Sequence, residues 1–447
     1  MFFPKKISVN PLNAVHSTYP APAFAPQGLP FPRWLSSVHL SSLHLPILRL
    51  SIVNLSSVRL CLGLGAAACL PALAAPDDVL HPYVGYSVLY EDNVLGIPDG
   101  AEGGRRSDTS QRTEAGLNAK KRVSQQVFSA KLNFANVKHQ RLGALDNVAK
   151  DLQANWNWHV GEHVEGNLGA SYVQAMTPFI NFHGQERNLR TQRREFADAA
   201  WHLHPSWRVR TGLVRDQLRY ELDSQKAGNR KEASTELGLD YLAAGGSTIG
   251  AQLRHTRGDL PNLQRFGAQL VDNSYNQNEA KAKVSWQLTG KTQLQFLGGY
   301  VQRKHDAFPA RDYSGLNARV IANWQPTGKV GLALSGWREI GALDDVTASY
   351  TLNQGFSLGS SWDLSSKVRL DGQLKHESSD FSGSAAFASL PELERKDTFR
   401  TASLKLSYRP IERLQLGAMI YLKNKNSTLG ANDSANNGVM LNSRYEF

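Results

Sequence analysis

Cysteine is nearly absent from this chain. Two occur in 447 residues, Cys61 and Cys69, and none follows. That excludes a disulfide-dense scaffold and a multi-cysteine zinc protein. Long apolar runs are also missing. No stretch of about 20 consecutive apolar residues occurs after residue 75, which excludes a helical membrane protein. Acidic residues are missing from the first 76 positions, and Asp77 is the first. The same region holds nine of the nineteen prolines up to Pro71, with Pro76 close behind. A proline-rich segment without acids cannot build a regularly hydrogen-bonded core. What is present is a formal charge of +11 from 50 Lys+Arg against 39 Asp+Glu, with 41% hydrophobic residues. Taken alone, these values describe a soluble basic protein of two or three domains, or one large single-sheet body.

The acid-free segment ends as a secretory signal does. Arg49 and Arg59 supply positive charge, and Leu60 to Leu70 (LCLGLGAAACL) is an apolar h-region. Ala72-Leu73-Ala74 is a small-x-small cleavage site. Cleavage is expected after Ala74, with Ala75 as the second choice. A signal region of 1–74 exceeds the usual length of about 15–30 residues. Residues 1 to about 45 are therefore expected to be an upstream extension from a mis-assigned start codon. The alternative is an unusual leader. A lipoprotein reading at Cys69 has small residues before it, but lacks the usual leucine three positions earlier. Removing residues 1–74 takes away Lys5, Lys6, Arg33, Arg49 and Arg59, no acid, and both cysteines. The mature chain, 75–447, then carries 45 basic against 39 acidic residues. An exported chain without cysteine fits the periplasm or outer membrane of a Gram-negative bacterium, where a free thiol would risk oxidation.

The mature chain alternates with a period of two. In NVAKDLQANWNWHV, Leu152, Ala154, Trp156 and Trp158 share one face, and Gln153, Asn155 and Asn157 the other. In KVRLDGQLKHE, Val368, Leu370 and Leu374 oppose Lys367, Arg369, Asp371, Gln373 and Lys375. In ERLQLGAMIYL, Leu414, Leu416, Ala418, Ile420 and Leu422 share a face. Successive side chains of a strand point to opposite sides, so each segment has one apolar and one polar face. Short turns separate such segments near residues 124, 161, 205, 246, 290, 327, 365 and 411. They recur about every 41 residues, room for two strands, one tight turn and one long polar loop. Long loops on one side and short turns on the other describe a transmembrane antiparallel β-barrel. A propeller repeats at a similar length but needs four strands per repeat. Eight turns, a first strand over His81 to Tyr90 and a last over Val439 to Phe447 predict eighteen strands, with sixteen as the fallback. A barrel of that size encloses an aqueous channel unless loops plug it.

Aromatics cluster beside the short turns: Trp156, Trp158, Trp201, Trp207, Trp286, Trp324, Trp362, Tyr241 and Tyr408. They are the expected interfacial girdle, where an apolar ring with a wet N–H or O–H sits at the headgroup level. Trp337 is the exception. The chain ends VMLNSRYEF, with Leu441, Ser443, Tyr445 and Phe447 on one face. An aromatic last residue on an amphipathic strand resembles the signal read by the barrel assembly machinery.

Motifs of chemistry are weak. His159 to His163 spells H-x-x-E-H, yet metallopeptidase chemistry requires a helix, and here the motif straddles a turn. Trp201-His202-Leu203-His204 reads as a polar rim. Gly355 to Gly359 spells G-x-S-x-G without the strand–turn–helix of a nucleophile elbow. No catalytic, cofactor or metal residue is assigned, and an enzyme is not expected. The mixed charge argues against a nucleic-acid partner. Arg208, Arg210, Lys367, Arg369, Asp371 and Lys375 are the candidate lumen-facing charges.

The mature N-terminus adds a resemblance. Tyr83 to Tyr90, Asp92-Asn93 and Ile97-Pro98-Asp99 resemble the opening of EpsL-type outer-membrane barrel proteins of exopolysaccharide operons, which accompany exosortase systems. Gly96 stands where that family often has Arg. The resemblance implies a role in exopolysaccharide biosynthesis or export, as conduit or accessory, with polysaccharide and other export components as partners. Outer-membrane lipid and lipopolysaccharide are expected around the wall. The alternatives are a general diffusion porin for small polar solutes and a structural barrel with a plugged lumen. Asp92-Asn93 also have a local reading, as turn formers at the end of the first strand.

Overall fold

The computed structural model describes residues 78–98, 100–101, 106–179, 186–266, 269–307, 309–341, 350–382 and 395–447. The expected signal region 1–74, its h-region at 60–70 and the cleavage residues Ala72 and Ala74 lie outside the described residues, as does Asp99.

Strands account for nearly all of the rest. The first nine are β1 (Asp78–Glu91), β2 (Asp108–Val123), β3 (Gln126–His139), β4 (Asn147–Val160), β5 (Val164–Met176), β6 (Leu189–His204), β7 (Trp207–Tyr220), β8 (Arg230–Leu242) and β9 (Thr248–Asp259). Two three-residue strands, β10 (Gln264–Phe266) and β11 (Gln269–Val271), pair only with each other in an outer loop. The wall resumes with β12 (Tyr275–Thr289), β13 (Thr292–His305), β14 (Tyr313–Trp324), β15 (Val330–Gly341) and β16 (Tyr350–Asp363). It ends with β17 (Val368–Ser382), β18 (Lys396–Ile411), β19 (Leu414–Ser427) and β20 (Ser434–Glu446).

Each wall strand pairs antiparallel with the next, β9 pairs with β12, and β20 returns to β1. The result is a closed barrel of eighteen strands, the larger of the two counts that the turns allowed. All eight short turns fall where the alternation breaks. The least obvious, at Ser124, is held by a positive φ of 55°. At the next, Gly161 takes φ 61°, a conformation that glycine adopts without strain. Strand β1 extends beyond its expected bounds at both ends, to Asp78–Glu91, while β20 starts earlier than expected, at Ser434, and ends one residue short, at Glu446. Most wall strands run 12–16 residues. At about 3.3 Å per residue and a tilt near 40°, 14 residues rise about 35 Å, more than an apolar band of about 25 Å requires.

Alternation sets the two faces. On β1, Leu80, Val84, Tyr86 and Tyr90 are exposed outward, while Tyr83 between them is buried. On β18 and β19 the outward side chains are Leu404, Leu406, Tyr408, Ile420 and Leu422. A soluble protein would hide such residues, so their exposure together around a closed wall marks a lipid-facing band. No helix among the described residues is long and apolar enough to cross a membrane; the strands do the crossing.

Candidate functional site

The site is the lumen. The outward side chains at the short-turn ends include Trp156, Trp201, Trp207, Tyr241, Trp286, Trp324, Trp362 and Tyr408, all partly exposed. Trp158 lies outward beside Trp156 and covers Gly166 on β5, where a Cβ would collide with the ring and with the Asp198 carbonyl. Phe128 stacks on Trp156 at 5.6 Å between centroids, and Trp207 meets Tyr241 edge-on at 5.3 Å. At the C-terminus Leu441, Tyr445 and Phe447 share the outward face. Phe447 donates its amide to the Pro82 carbonyl at 2.9 Å and packs edge-on against Tyr445. Trp337 points the other way, into the lumen.

Inside, opposite charges pair across neighbouring strands. Arg208 and Arg210 on β7 both reach Asp240 on β8, at 2.8 and 2.7 Å, and Asp240 is fully buried between them. Arg210 continues to Glu236 at 3.2 Å, and Glu236 to Arg254 on β9 at 2.6 Å. Arg194 pairs with Asp216 at 3.0 Å and Arg319 with Glu339 at 2.6 Å. Register explains this: Arg208 stands directly opposite Asp240, and Asp216 opposite Arg194. On β17, Arg369 holds Asp371 at 2.8 Å and Lys375 holds Glu377 at 3.0 Å, all on the luminal face. Lys367 is a correction. It precedes β17 in the turn, where its ammonium donates to the Pro410 carbonyl at 3.0 Å instead of entering the lumen.

Luminal side chains between β5 and β16 line a chamber of about 250 Å³. Arg194, Arg230, Arg254, Lys281 and Arg319 line it, together with Asp216, Glu232, Glu279 and Glu339. Arg193 also borders it, but its side chain pairs with Glu195 on the outer face, so five luminal cations face four anions. Trp337 is its aromatic element: Nε1 donates to Glu377 at 2.9 Å, while Arg319 and Lys375 stand 5.4 and 5.3 Å from the ring. Gln277 links Arg303 to Glu279, donating to the latter at 2.5 Å. Strand alternation assigns Arg208, Arg210, Arg369, Asp371 and Lys375 to the lumen; the charges lining this chamber are not among those candidates, and the register is what brings them together.

The outer mouth is tied by the segment after β1. Asn93 is fully buried; its amide donates to the carbonyls of Ile97 and Ala435 at 2.8 and 2.9 Å. Asp92 accepts from the backbone and the side chain of Asn437 at 2.7 and 2.9 Å. The Asp-Asn pair therefore closes the β1–β20 seam besides ending a strand. Val94 and Leu95 then pack with Leu145 and Phe179, knotting three outer loops together. In the β7–β8 loop, a hydrogen bond from Lys226 holds the Asp223 carboxyl below its ordinary range.

The residues of the weak motifs make contacts within the wall. His159 pairs with Glu165 at 3.4 Å, and His202 with the same carboxylate at 3.3 Å. Ser357 exchanges a hydrogen bond with Ser335 at 2.7 Å within the sheet. No group of three or more potential metal ligands occurs among the described residues.

Residues 264–447 match the family model described as "Putative beta-barrel porin 2". This chain is a porin-like outer-membrane barrel. A lipid-facing wall of this type and a porin-family match belong to the outer membrane of a Gram-negative bacterium. Among solved structures the chain is similar to Pseudomonas aeruginosa OccK2 (OpdF), with 12% identity, a TM-score of 0.45, and coverage of 82% of this chain and 98% of that one. It is similar to Acinetobacter baumannii OccAB3 at 11% identity and TM-score 0.43, covering 82% and 99%. A BenF-like porin from Pseudomonas fluorescens Pf-5 gives 11% and 0.44, covering 82% and 99%. No curated protein matches the porin-like barrel in sequence.

Proposed function

We propose that this barrel is a narrow diffusion channel for small polar solutes. The observation that supports it is the luminal chamber. At about 250 Å³ it lies below the roughly 300–1,000 Å³ of drug-sized ligand pockets. Its lining of paired guanidiniums and carboxylates offers hydrogen bonds in both directions, with one cation in excess. A hydrated solute of one or two rings exchanges water for these groups as it passes. Trp337 adds a flat apolar surface beside them. Single-channel recording in planar bilayers tests this reading. It expects small, ohmic, weakly anion-selective conductance, and liposome swelling with monosaccharides but not with long oligosaccharides. A barrel that never conducts would favour the plugged, structural alternative.

A role in exopolysaccharide biosynthesis or export is the second reading. It is favoured by the opening segment, Tyr83 to Tyr90 with Asp92-Asn93 and Ile97. A chamber of this size suits an accessory role better than a conduit for a hydrated polymer. Deletion of the gene followed by measurement of extracellular polysaccharide tests it. Unchanged secretion would remove this reading and leave the diffusion channel standing.

A further inference from the structure

The outer wall is hollowed across β1 to β8 into a furrow of about 1140 Å³. Its floor is a cross-strand row of small side chains. Ala119 stands opposite Ala130, Ala130 opposite Ala154, and Ala154 opposite Ala170. Leu168 and Leu213 rise beside this row, exposed and outward. On the next strands the row passes to Glu195, then to Arg215, and ends at Ala233 on β8. The row climbs as it goes. Ala119 lies four positions from the end of β2 at its short turn, whereas Arg215 lies eight positions beyond Trp207 toward the outer mouth.

The upper end is cationic. Arg193 pairs with Glu195 at 2.6 Å and is still 60% exposed. Arg215, Arg219 and Lys231 are exposed on the same outward face, with Lys231 opposite Gln217. Glu195 is the sole acid among the outward positions of β6, β7 and β8. With Lys121 alone at its inner end and four cations with one anion at its outer end, this apolar furrow matches one kind of neighbour: a lipid with a phosphorylated headgroup, oriented with its head toward the outer mouth. A second copy of the barrel fits poorly, because a two-fold contact here would set the same cations against each other.

We propose that this furrow binds a phosphorylated glycolipid of the outer leaflet. An acyl chain lies along the alanine floor, and phosphate oxygens accept from Arg193, Arg215, Arg219 and Lys231. Charge-assisted hydrogen bonds of this type are the stronger ones, and arginine suits phosphate geometry. Neither the channel reading nor the polysaccharide reading is needed for this proposal.

Native mass spectrometry of the barrel extracted from outer membranes in mild detergent tests it, using bis-phosphorylated lipid A as the added probe. One lipid A per barrel is expected to be retained. Dephosphorylated lipid A should bind at least tenfold more weakly, and so should bis-phosphorylated lipid A to the R193Q/R215Q/R219Q/K231Q variant. A154F, which fills the furrow without touching a charge, should also weaken binding. Heat-modifiable gel migration verifies that each variant is folded. Equal affinity for the two lipid A forms would overturn the proposal, as would retention by A154F at the wild-type level. A wild-type dimer that A154F converts to monomer would assign the furrow to a contact between copies instead, and would also overturn it.

Discussion

Leu404 offers a direct test of which face meets lipid. It is outward and exposed, opposite Gly372 on β17 and Ile420 on β19. Along β18 it stands four residues from Tyr408 toward the short-turn end and four from Arg400 toward the outer end. With a rise of about 3.3 Å and a tilt near 40°, each interface is about 10 Å away, so Leu404 sits at mid-band. Leu404→Arg then incurs about 2–4 kcal/mol for a cation at the bilayer midplane. Losing the leucine adds about 2 kcal/mol. The expected destabilisation is about 4–6 kcal/mol. Ser403→Arg, one residue away, points into the wet lumen and should change stability by no more than about 1 kcal/mol. Urea unfolding from phospholipid vesicles, followed by tryptophan fluorescence, measures both. Equal effects for the neighbouring substitutions would refute the assignment of faces, and a neutral Leu404→Arg would refute the lipid band itself.

Three further outcomes follow from the lumen and the mouth. Asp240→Asn leaves Arg208 and Arg210 facing each other without their shared carboxylate, and should cost about 3 kcal/mol in the same unfolding assay. It should also shift the reversal potential in a salt gradient toward anions. Trp337→Ala enlarges the chamber and should raise single-channel conductance, with unchanged or lower conductance counting against the chamber as the narrowest passage. Asn93→Ala removes buried hydrogen bonds at 2.8, 2.9 and 3.0 Å and should cost about 2–3 kcal/mol. Amide exchange should then quicken along β20 near Ala435 while β9 keeps its protection.

Much of the wall was readable in the chain because one physical signal dominates. A strand with lipid on one side and water on the other must alternate, and NVAKDLQANWNWHV does so as plainly as any segment could. Each short turn interrupts that pattern, so eighteen strands could be counted. The lumen was less legible. Alternation points Arg208 and Arg210 inward but does not pair them with Asp240, about thirty residues on, because pairing depends on strand register. Lys367 fails for a related reason: the alternating pattern continues one residue past the point where the strand begins. Asp92 and Asn93 read locally as turn formers, and their partners at Ala435 and Asn437 lie at the opposite end of the chain. The furrow was invisible because it depends on which residues the register sets side by side. A row of alanines in separate strands leaves no mark on any one segment.

The seam at Asn93 carries a consequence for how the protein is made. Asn93 and Ala435 are 342 residues apart, and the ladder they anchor cannot form until β20 exists. The entropic cost of so wide a closure is modest, since each doubling of a loop adds only about 0.6 kcal/mol. The difficulty is temporal. Until the final strand arrives, β1 and β19 are two open edges on a sheet with a greasy outer face, a template for pairing with any other chain. Such an intermediate cannot be left alone in the periplasm. The barrel must therefore reach the membrane unfolded or escorted, and its closing step is also the moment at which it stops being a hazard.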